Sequence, residues 1–337
     1  MAKKKRKGHY SGIGGQAVIE GIMMKNKDRY SIAVRTPSGE IDVTLEEYDS
    51  FTPSKLFLKI PFIRGVFNFI DSLILGIRTL NYSATFYEEP PKRKREKPKL
   101  FERIFGDYSD KVLSFITVAI SLALAIGLFM IVPYLLSQLF RTVIVNSTVI
   151  AIIEGLLRVV IFIAYIVVIS MMSEIKRVYK YHAAEHKCIN CLETGHILTV
   201  DNVRKASRLH KRCGTSFMFF VVFVSVILFM FIRVEDPVMR VVIRLLLLPV
   251  IAGISYEIIR LAGKSNNIIV RILSAPGMML QRLTTCELDG ANGAEEGKTY
   301  KDDDIIEVAI SAVDAVYDWR EYLIKEFGYD PSDVYMR

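Results

Sequence analysis

Ser147-Thr-Val-Ile-Ala-Ile-Ile-Glu-Gly-Leu-Leu-Arg-Val-Val-Ile-Phe-Ile-Ala-Tyr-Ile-Val-Val-Ile-Ser-Met-Met172 carries only two charged side chains, Glu154 and Arg158. It exceeds the ~20 residues a helix needs to cross a hydrocarbon core. Three further apolar runs match it, Val112–Phe140, Gly214–Arg233 and Val238–Ala262. Four transmembrane helices are therefore expected. The first is not read as a signal peptide, because a long stretch of mixed polarity precedes it. The composition agrees: 51% of the 337 residues are hydrophobic, too many for an ordinary soluble chain of this length.

Outward from these runs, the net charge of +8 is unevenly placed. Arg141 is the only charge between the first two runs, and Val-Glu-Asp-Pro at 234–237 joins the last two. The connector 173–213 instead holds Lys176, Arg177, Lys180, Lys187, Arg204, Lys205, Arg208, Lys211 and Arg212. Lys3–Lys7 and Lys92–Arg95 add basic clusters on the N-terminal side. The bias of Lys and Arg toward cytoplasmic loops places both termini and the connector inside, with two short loops outside. Lys3–Lys7 is read as a tail near anionic lipid rather than a nucleic-acid patch. The expected partners are the lipid bilayer and a membrane protein or second copy of this chain. No specific nucleic-acid binding is expected.

The first hundred residues read as a soluble unit. Gln16–Lys25, Arg29–Thr36 and Glu40–Tyr48 carry strand composition or period-two alternation, with Pro37-Ser-Gly-Glu40 as a turn. They predict a small antiparallel β meander. Gly12-Ile-Gly-Gly15 lacks the remainder of either phosphate-loop signature and reads as a tight turn. Ile60–Phe86 predicts an amphipathic helix at the inner membrane surface or under the bundle, and Glu88–Pro98 an exposed linker. Past the fourth run, Ser265–Leu283 predicts two short interfacial helices broken at Pro276-Gly277, and Asp302–Phe327 one amphipathic helix. The fold class is thus mostly α: a polytopic membrane protein with four transmembrane helices, an N-terminal antiparallel β meander and cytoplasmic amphipathic helices. Its regions divide at 1–100, 101–263 and 264–337.

Chemistry concentrates in Tyr181-His-Ala-Ala-Glu-His-Lys-Cys-Ile-Asn-Cys191. On a helix, His182 and His186 share one face, one turn apart. Two imidazoles so placed can bind one metal ion, and Glu185 can hold or deprotonate a water beside it. His210-Lys-Arg-Cys213 supplies two more ligand types at x2 spacing. Four protein ligands, His182, His186, His210 and Cys213, would make a closed structural site for a divalent metal, with zinc expected. Three ligands and a water would make an open one, with Glu185 as general base. Cys188-Ile-Asn-Cys191, Glu193 and His196 are spare ligands. The four cysteines, read as facing a reducing cytoplasm, are not expected to form disulfides, and no βαβ pattern surrounds the C-x-x-C pair. The bland alternative is that these histidines only hydrogen-bond phosphate or backbone. Within the apolar runs, Glu154 and Arg158 stand at i, i+4, with Arg240, Arg244, Glu257 and Arg260 in the fourth run. They are expected to pair Glu154 with Arg158 or Arg244 and lock two helices together.

Five blocks together resemble the YqhQ-like family of bacterial membrane proteins. They are Gly14-Gly-Gln-Ala-Val-Ile-Glu-Gly-Ile-Met-Met24, Tyr181-His-Ala-Ala-Glu-His-Lys187, His210-Lys-Arg-Cys-Gly-Thr-Ser216, Gly253-Ile-Ser-Tyr-Glu257 and Pro276-Gly-Met-Met-Leu-Gln-Arg-Leu-Thr-Thr285. The resemblance implies a bacterial inner-membrane location and a family of uncharacterised function whose members are labelled predicted metal-dependent enzymes. It adds Gln16 and Glu20 to the residues of interest and supplies no substrate. Cys188 and Cys286 depart from the family pattern, which sets the C-x-x-C pair apart from the core site. Two functions follow as expectations. One is a metal-dependent hydrolase at the cytoplasmic face, and the other a non-catalytic membrane scaffold or assembly factor stapled by a structural metal.

Overall fold

The computed structural model describes residues 9–52, 56–87, 109–232, 234, 236–264, 267–288 and 301–328. The basic cluster Lys3–Lys7 and the linker Glu88–Pro98 lie outside them. Two compact units divide the chain. The first comprises 1–87, 167–220 and 252–337, the second 88–166 and 221–251.

The first unit is built on a four-stranded antiparallel meander, β1 (Gly14–Val18), β2 (Gly21–Asn26), β3 (Arg29–Arg35) and β4 (Ile41–Glu47), paired in chain order. The sequence predicts a single strand over Gln16–Lys25, and the structure divides it. Val18 pairs with Gly21 across a two-residue turn in which Glu20 takes φ 51°, and Lys27 does the same at φ 54° between β2 and β3. Such left-handed turn residues match the twist of a tight hairpin. Gly21 is required by space, since a Cβ there would lie 2.4 Å from the Ala33 carbonyl oxygen.

Both faces of this sheet are covered, which explains why β2 and β3 are apolar at successive positions while the edge strand β4 alternates. Val18, Met23, Tyr30, Ile32 and Val34 face one way, against Leu75 and Tyr82 of α1 (Ile63–Thr85). Ile22, Met24 and Ala33 face the other, against the core residues of the helices Ser173–Glu193 and Asp302–Val316. On α1, Leu73, Ile74, Ile77 and Leu80 remain exposed.

The candidate spanning segments are helical. α2 (Ser109–Ile126) continues through a π-helical turn over Gly127–Ile131 into α3 (Val132–Gln138), and α4 covers Ser147–Ser170. α7 covers Gly214–Phe231, and α8 (Pro237–Leu246) bends by 41° into α9 (Leu248–Lys264). Three helices are long and apolar enough to cross a membrane, or four if the bent pair is one span. In the second unit, Val118, Leu122, Leu124, Leu156 and Val160 are exposed, an outward apolar surface of the kind a lipid solvent accepts. The expected intramembrane pairing forms there: Arg158 and Arg244 both bind Oε1 of Glu154, at 2.9 and 2.6 Å.

Between α4 and α7 the connector folds as α5 (Ser173–Glu193), α6 (Val200–Lys205) and a loop to Cys213. α10 runs unbroken from Ile268 to Thr284 with Pro276 inside it, correcting the expected break. Proline forfeits one helical hydrogen bond. Here the turns after it are anchored: Gly277 lies against Ser216, and Gln281 binds His210 and Ser216. The last predicted helix is two, α11 (Asp302–Val316) and α12 (Trp319–Phe327). They part at Tyr317-Asp318, where the Asp318 carboxylate accepts from the Glu321 N–H and starts a new helix. α11 buries Ile305, Val308, Ala309, Ala312 and Val316 at helical spacing, its small residues letting it approach the sheet closely.

Candidate metal centre

α5 is polar in composition yet largely buried, because the sheet and α11 cover one side and the 206–213 loop another. Its 3.6-residue repeat sets the His182 and His186 rings 4.3 Å apart. Each ring is oriented by a backbone carbonyl. His182 Nδ1 lies 2.9 Å from the Thr284 oxygen at the end of α10, and His186 Nδ1 lies 2.6 Å from the Arg208 oxygen. A carbonyl only accepts, so both Nδ1 atoms carry the proton and each Nε2 is turned inward.

Cys213 closes the group. Its Sγ lies 3.1 Å from His182 Nε2, and the ligand atoms of His182, His186 and Cys213 all fall within 4.8 Å of one another. Burial alone would raise the Cys213 thiol, but His182 and His186 hold it well below its ordinary value. Burial likewise opposes charge on His182, yet Cys213 raises that imidazole to about 9. Each side chain therefore favours the charged form of the other, and a cation bound by both would replace that pairing. Glu185 adds a carboxylate, Oε2 lying 3.9 Å from His182 Nε2 and 3.7 Å from His186 Nε2. β1 reaches it from outside: a Cβ on Gly15 would lie 2.7 Å from Glu185 Cγ.

His210 stands apart from this group. Its ring lies 5.6 Å from that of His186, but its Nε2 is directed to Glu193 at 3.7 Å and Arg212 at 3.2 Å. Its backbone is clasped by Gln281, which accepts from the His210 N–H at 2.8 Å and donates to its carbonyl at 2.6 Å. Cys188 and Cys191 belong to the core between sheet and helices; burial pushes the first thiol well up and the second to about 12. Glu193 bonds Ser11 and Arg212, and His196 bonds Thr194. Gln16 fills the space above Gly76 of α1, and Glu20 binds Arg177 and Tyr181 of α5.

The loop that delivers Cys213 is held by its own carbonyls. Lys187 donates to Arg204 and Ala206 oxygens at 2.8 and 3.0 Å, Asn190 to Ser207 and Leu209, His186 to Arg208 and Gln281 to His210. Side chains of α5 and α10 thereby impose a shape on a segment with no regular structure. This role of Lys187, Asn190 and Gln281 is missed in the sequence, where the recipients are backbone atoms with no signature of their own. The only available signal is that Lys187 and Gln281 sit in two of the five quoted blocks.

Comparison with known proteins bears out the family resemblance. The profile described as "Protein of unknown function (DUF1385)" matches residues 60–319. "Uncharacterized protein YqhQ" of Bacillus subtilis (strain 168) is 36% identical over 275 residues, covering 81% of this chain and 86% of that protein. No solved structure matches. With a profile over three quarters of its length and a relative of that identity and extent, the chain belongs to the DUF1385 family, whose function is unknown.

Proposed function

We propose that the chain is a metal-dependent hydrolase of the bacterial inner membrane, working at the cytoplasmic face, with His182, His186 and Cys213 as metal ligands and Glu185 as general base. One observation carries the reading: two imidazoles fixed by backbone carbonyls aim Nε2 at the Cys213 sulfur, with a carboxylate beside them. Carbonyl-anchored histidines are the usual outer support of metal-binding imidazoles. The donor set fits a zinc-like ion. Bond lengths of about 2.0–2.1 Å to nitrogen and about 2.3 Å to sulfur give a tetrahedral N···S edge of about 3.6 Å. The His182–Cys213 separation of 3.1 Å requires only a small opening to reach it.

Three protein ligands leave a fourth position. Such an ion would act as a Lewis acid and lower the pKa of a water placed there. Glu185, the only group in the cluster assigned no coordinating role, is placed to take that water's proton. The basic connector and the three or four apolar helices support a cytoplasmic site on a multi-pass chain with both termini inside.

The scaffold reading, with a structural metal, is favoured by the depth of burial of His186 and Cys213. It is disfavoured by His210, whose ring nitrogen faces Glu193 instead of supplying a fourth ligand. Metal analysis of purified protein separates the two. His182→Ala and Cys213→Ala are expected to lose the metal. Glu185→Gln is expected to keep it and to lose the function scored in cells. Equal metal content in all four proteins would sink both readings, and a fully functional Glu185→Gln would sink the hydrolase alone.

A further inference from the structure

A cationic cleft of about 530 Å³ lies in the same unit as the His182, His186 and Cys213 triad, beside the Arg208 segment that orients His186, lined by Lys187, Lys205, Arg208, Arg282 and Glu287 among others. Four cations therefore face one carboxylate. They come from three segments far apart in sequence, α5, the α6–loop junction and α10, so their convergence is a product of the fold. Lys205 and Arg282 are exposed and meet no carboxylate among the described residues. Arg208 is half-buried, bonded to the Thr285 carbonyl at 3.0 Å and paired with Glu287 at the rim, also at 3.0 Å. Lys187 is committed to the loop carbonyls and contributes charge rather than a free donor.

The cleft and the triad share their supports. The Arg208 carbonyl orients His186 while the Arg208 guanidinium lines the cleft. Thr284 and Thr285 offer consecutive carbonyls, the first to His182 and the second to Arg208. A ligand that settles the Arg208 side chain thus bears on the backbone that holds a metal ligand.

We propose that this cleft binds the phosphate group of a phosphate-bearing molecule, which is the substrate class of the candidate metal centre; the second clause rests on the hydrolase reading. Two guanidiniums and an ammonium suit a tetrahedral oxyanion, since each guanidinium can present a two-pronged donor fork and the ammonium a point charge. The volume exceeds that of a phosphate and falls within the range of small-molecule sites, leaving room for the organic portion. The phosphate can belong to a soluble ester or to a lipid headgroup.

The test uses full-length protein in non-ionic detergent, titrated with inorganic phosphate and with glycerol 3-phosphate at constant ionic strength. It is repeated in nanodiscs of phosphatidylcholine with and without phosphatidate, and metal content is measured on every sample. Wild type should bind phosphate saturably, and the double variant Lys205→Gln/Arg282→Gln should bind at least tenfold more weakly with unchanged metal content and melting. Both substitutions are at exposed positions, so folding is not at stake. Tighter binding of glycerol 3-phosphate than of phosphate supports a soluble ester, and a gain in stability with phosphatidate that the double variant lacks supports a lipid. Absent binding, or equal binding by wild type and double variant, overturns the proposal while leaving the metal result standing. Phosphate binding by a wild type that carries no metal overturns the hydrolase reading and the substrate assignment with it, leaving an anion site alone.

Discussion

Replacing Glu154 by alanine tests the electrostatics of the second unit. Glu154, Arg158 and Arg244 are 6%, 4% and 6% exposed, and both guanidiniums bind the same carboxylate oxygen. The Phe229 ring lies 4.9 Å from each guanidinium carbon, and Arg158 also donates to the Phe129 carbonyl within the π-helical turn. A π turn displaces carbonyls from their usual partners, which gives Arg158 a second acceptor, where Arg244 has none among the described residues. Removing one member of a buried ion pair costs about 3–5 kcal/mol, mostly as the penalty of the charge left behind. Glu154→Ala leaves two such charges, softened by Phe229 and Phe129, so the upper part of that range is expected.

At the roughly 2–4 °C per kcal/mol of a domain of about 150–250 residues, and somewhat less for a longer chain, the apparent Tm at fixed scan rate should fall by on the order of 10 °C. Glu154→Gln keeps an acceptor without the charge and should fall less. In the double variant Glu154→Ala/Arg244→Met the less supported charge is gone, and more than half of the loss should return. That recovery is a coupling energy, which separates an electrostatic role from lost packing. A Glu154→Ala protein that melts and expresses like wild type would refute the reasoning, as would a double variant no more stable than the single.

Three further outcomes follow from the first unit. Lys187→Met leaves the Arg204 and Ala206 carbonyls without their charged donor and should cost about 2–4 kcal/mol; hydrogen exchange across 204–213 should accelerate, and unchanged protection there would disprove the clamp. Gly15→Ala drives a Cβ to 2.7 Å from Glu185 Cγ and 2.9 Å from the Met23 carbonyl oxygen. The backbone oxygen cannot yield cheaply, so Glu185 should be displaced, lowering cellular function more than metal content; a fully functional variant would show that the carboxylate position is immaterial. Burial would raise the Glu193 carboxyl, but its bonds to His210, Arg212 and Ser11 bring it down to about 2. A carboxylate depressed from 4.5 stabilises the fold fully above that value and loses its contribution as pH falls toward 2, a loss of roughly 3 kcal/mol. Glu193→Gln should flatten the stability profile in that window, and a parallel profile would contradict the assignment.

The apolar runs and the period-two strands were legible because burial against one partner imposes one period on the side chains. Ser147–Ser170 and Arg29–Arg35 each begin and end close to where composition changes. Errors arose where tertiary contacts override a local signal. Pro276 reads as a break, yet Gln281 and Gly277 anchor the helix beyond it. Asp302–Phe327 keeps helical spacing throughout, yet Asp318 caps a second helix. In the candidate site, His182, His186, Glu185 and Cys213 were legible as side-chain chemistry. Spacing did not reveal that His210 turns to Glu193, because the rotation of its ring is set by a salt-bridge partner that lies seventeen residues earlier and by the Gln281 clasp on its backbone.

That clasp also bears on why the site is assembled from distant blocks. An H-x-x-E-H helix alone offers two imidazoles whose rings rotate freely, and ordering each side chain costs conformational entropy. Here Thr284 fixes one ring from α10, and Arg208 fixes the other from the loop. The loop in turn is fixed by Lys187 and Asn190 of the same helix that bears the histidines. The helix therefore positions the carbonyl that positions its own histidine, and the ordering is distributed over a closed ring of bonds. Centres held this way stay near one geometry without a bound ion, so occupation should cost little rearrangement. Weakening any one link, Lys187 included, should loosen His186 without touching a ligand atom.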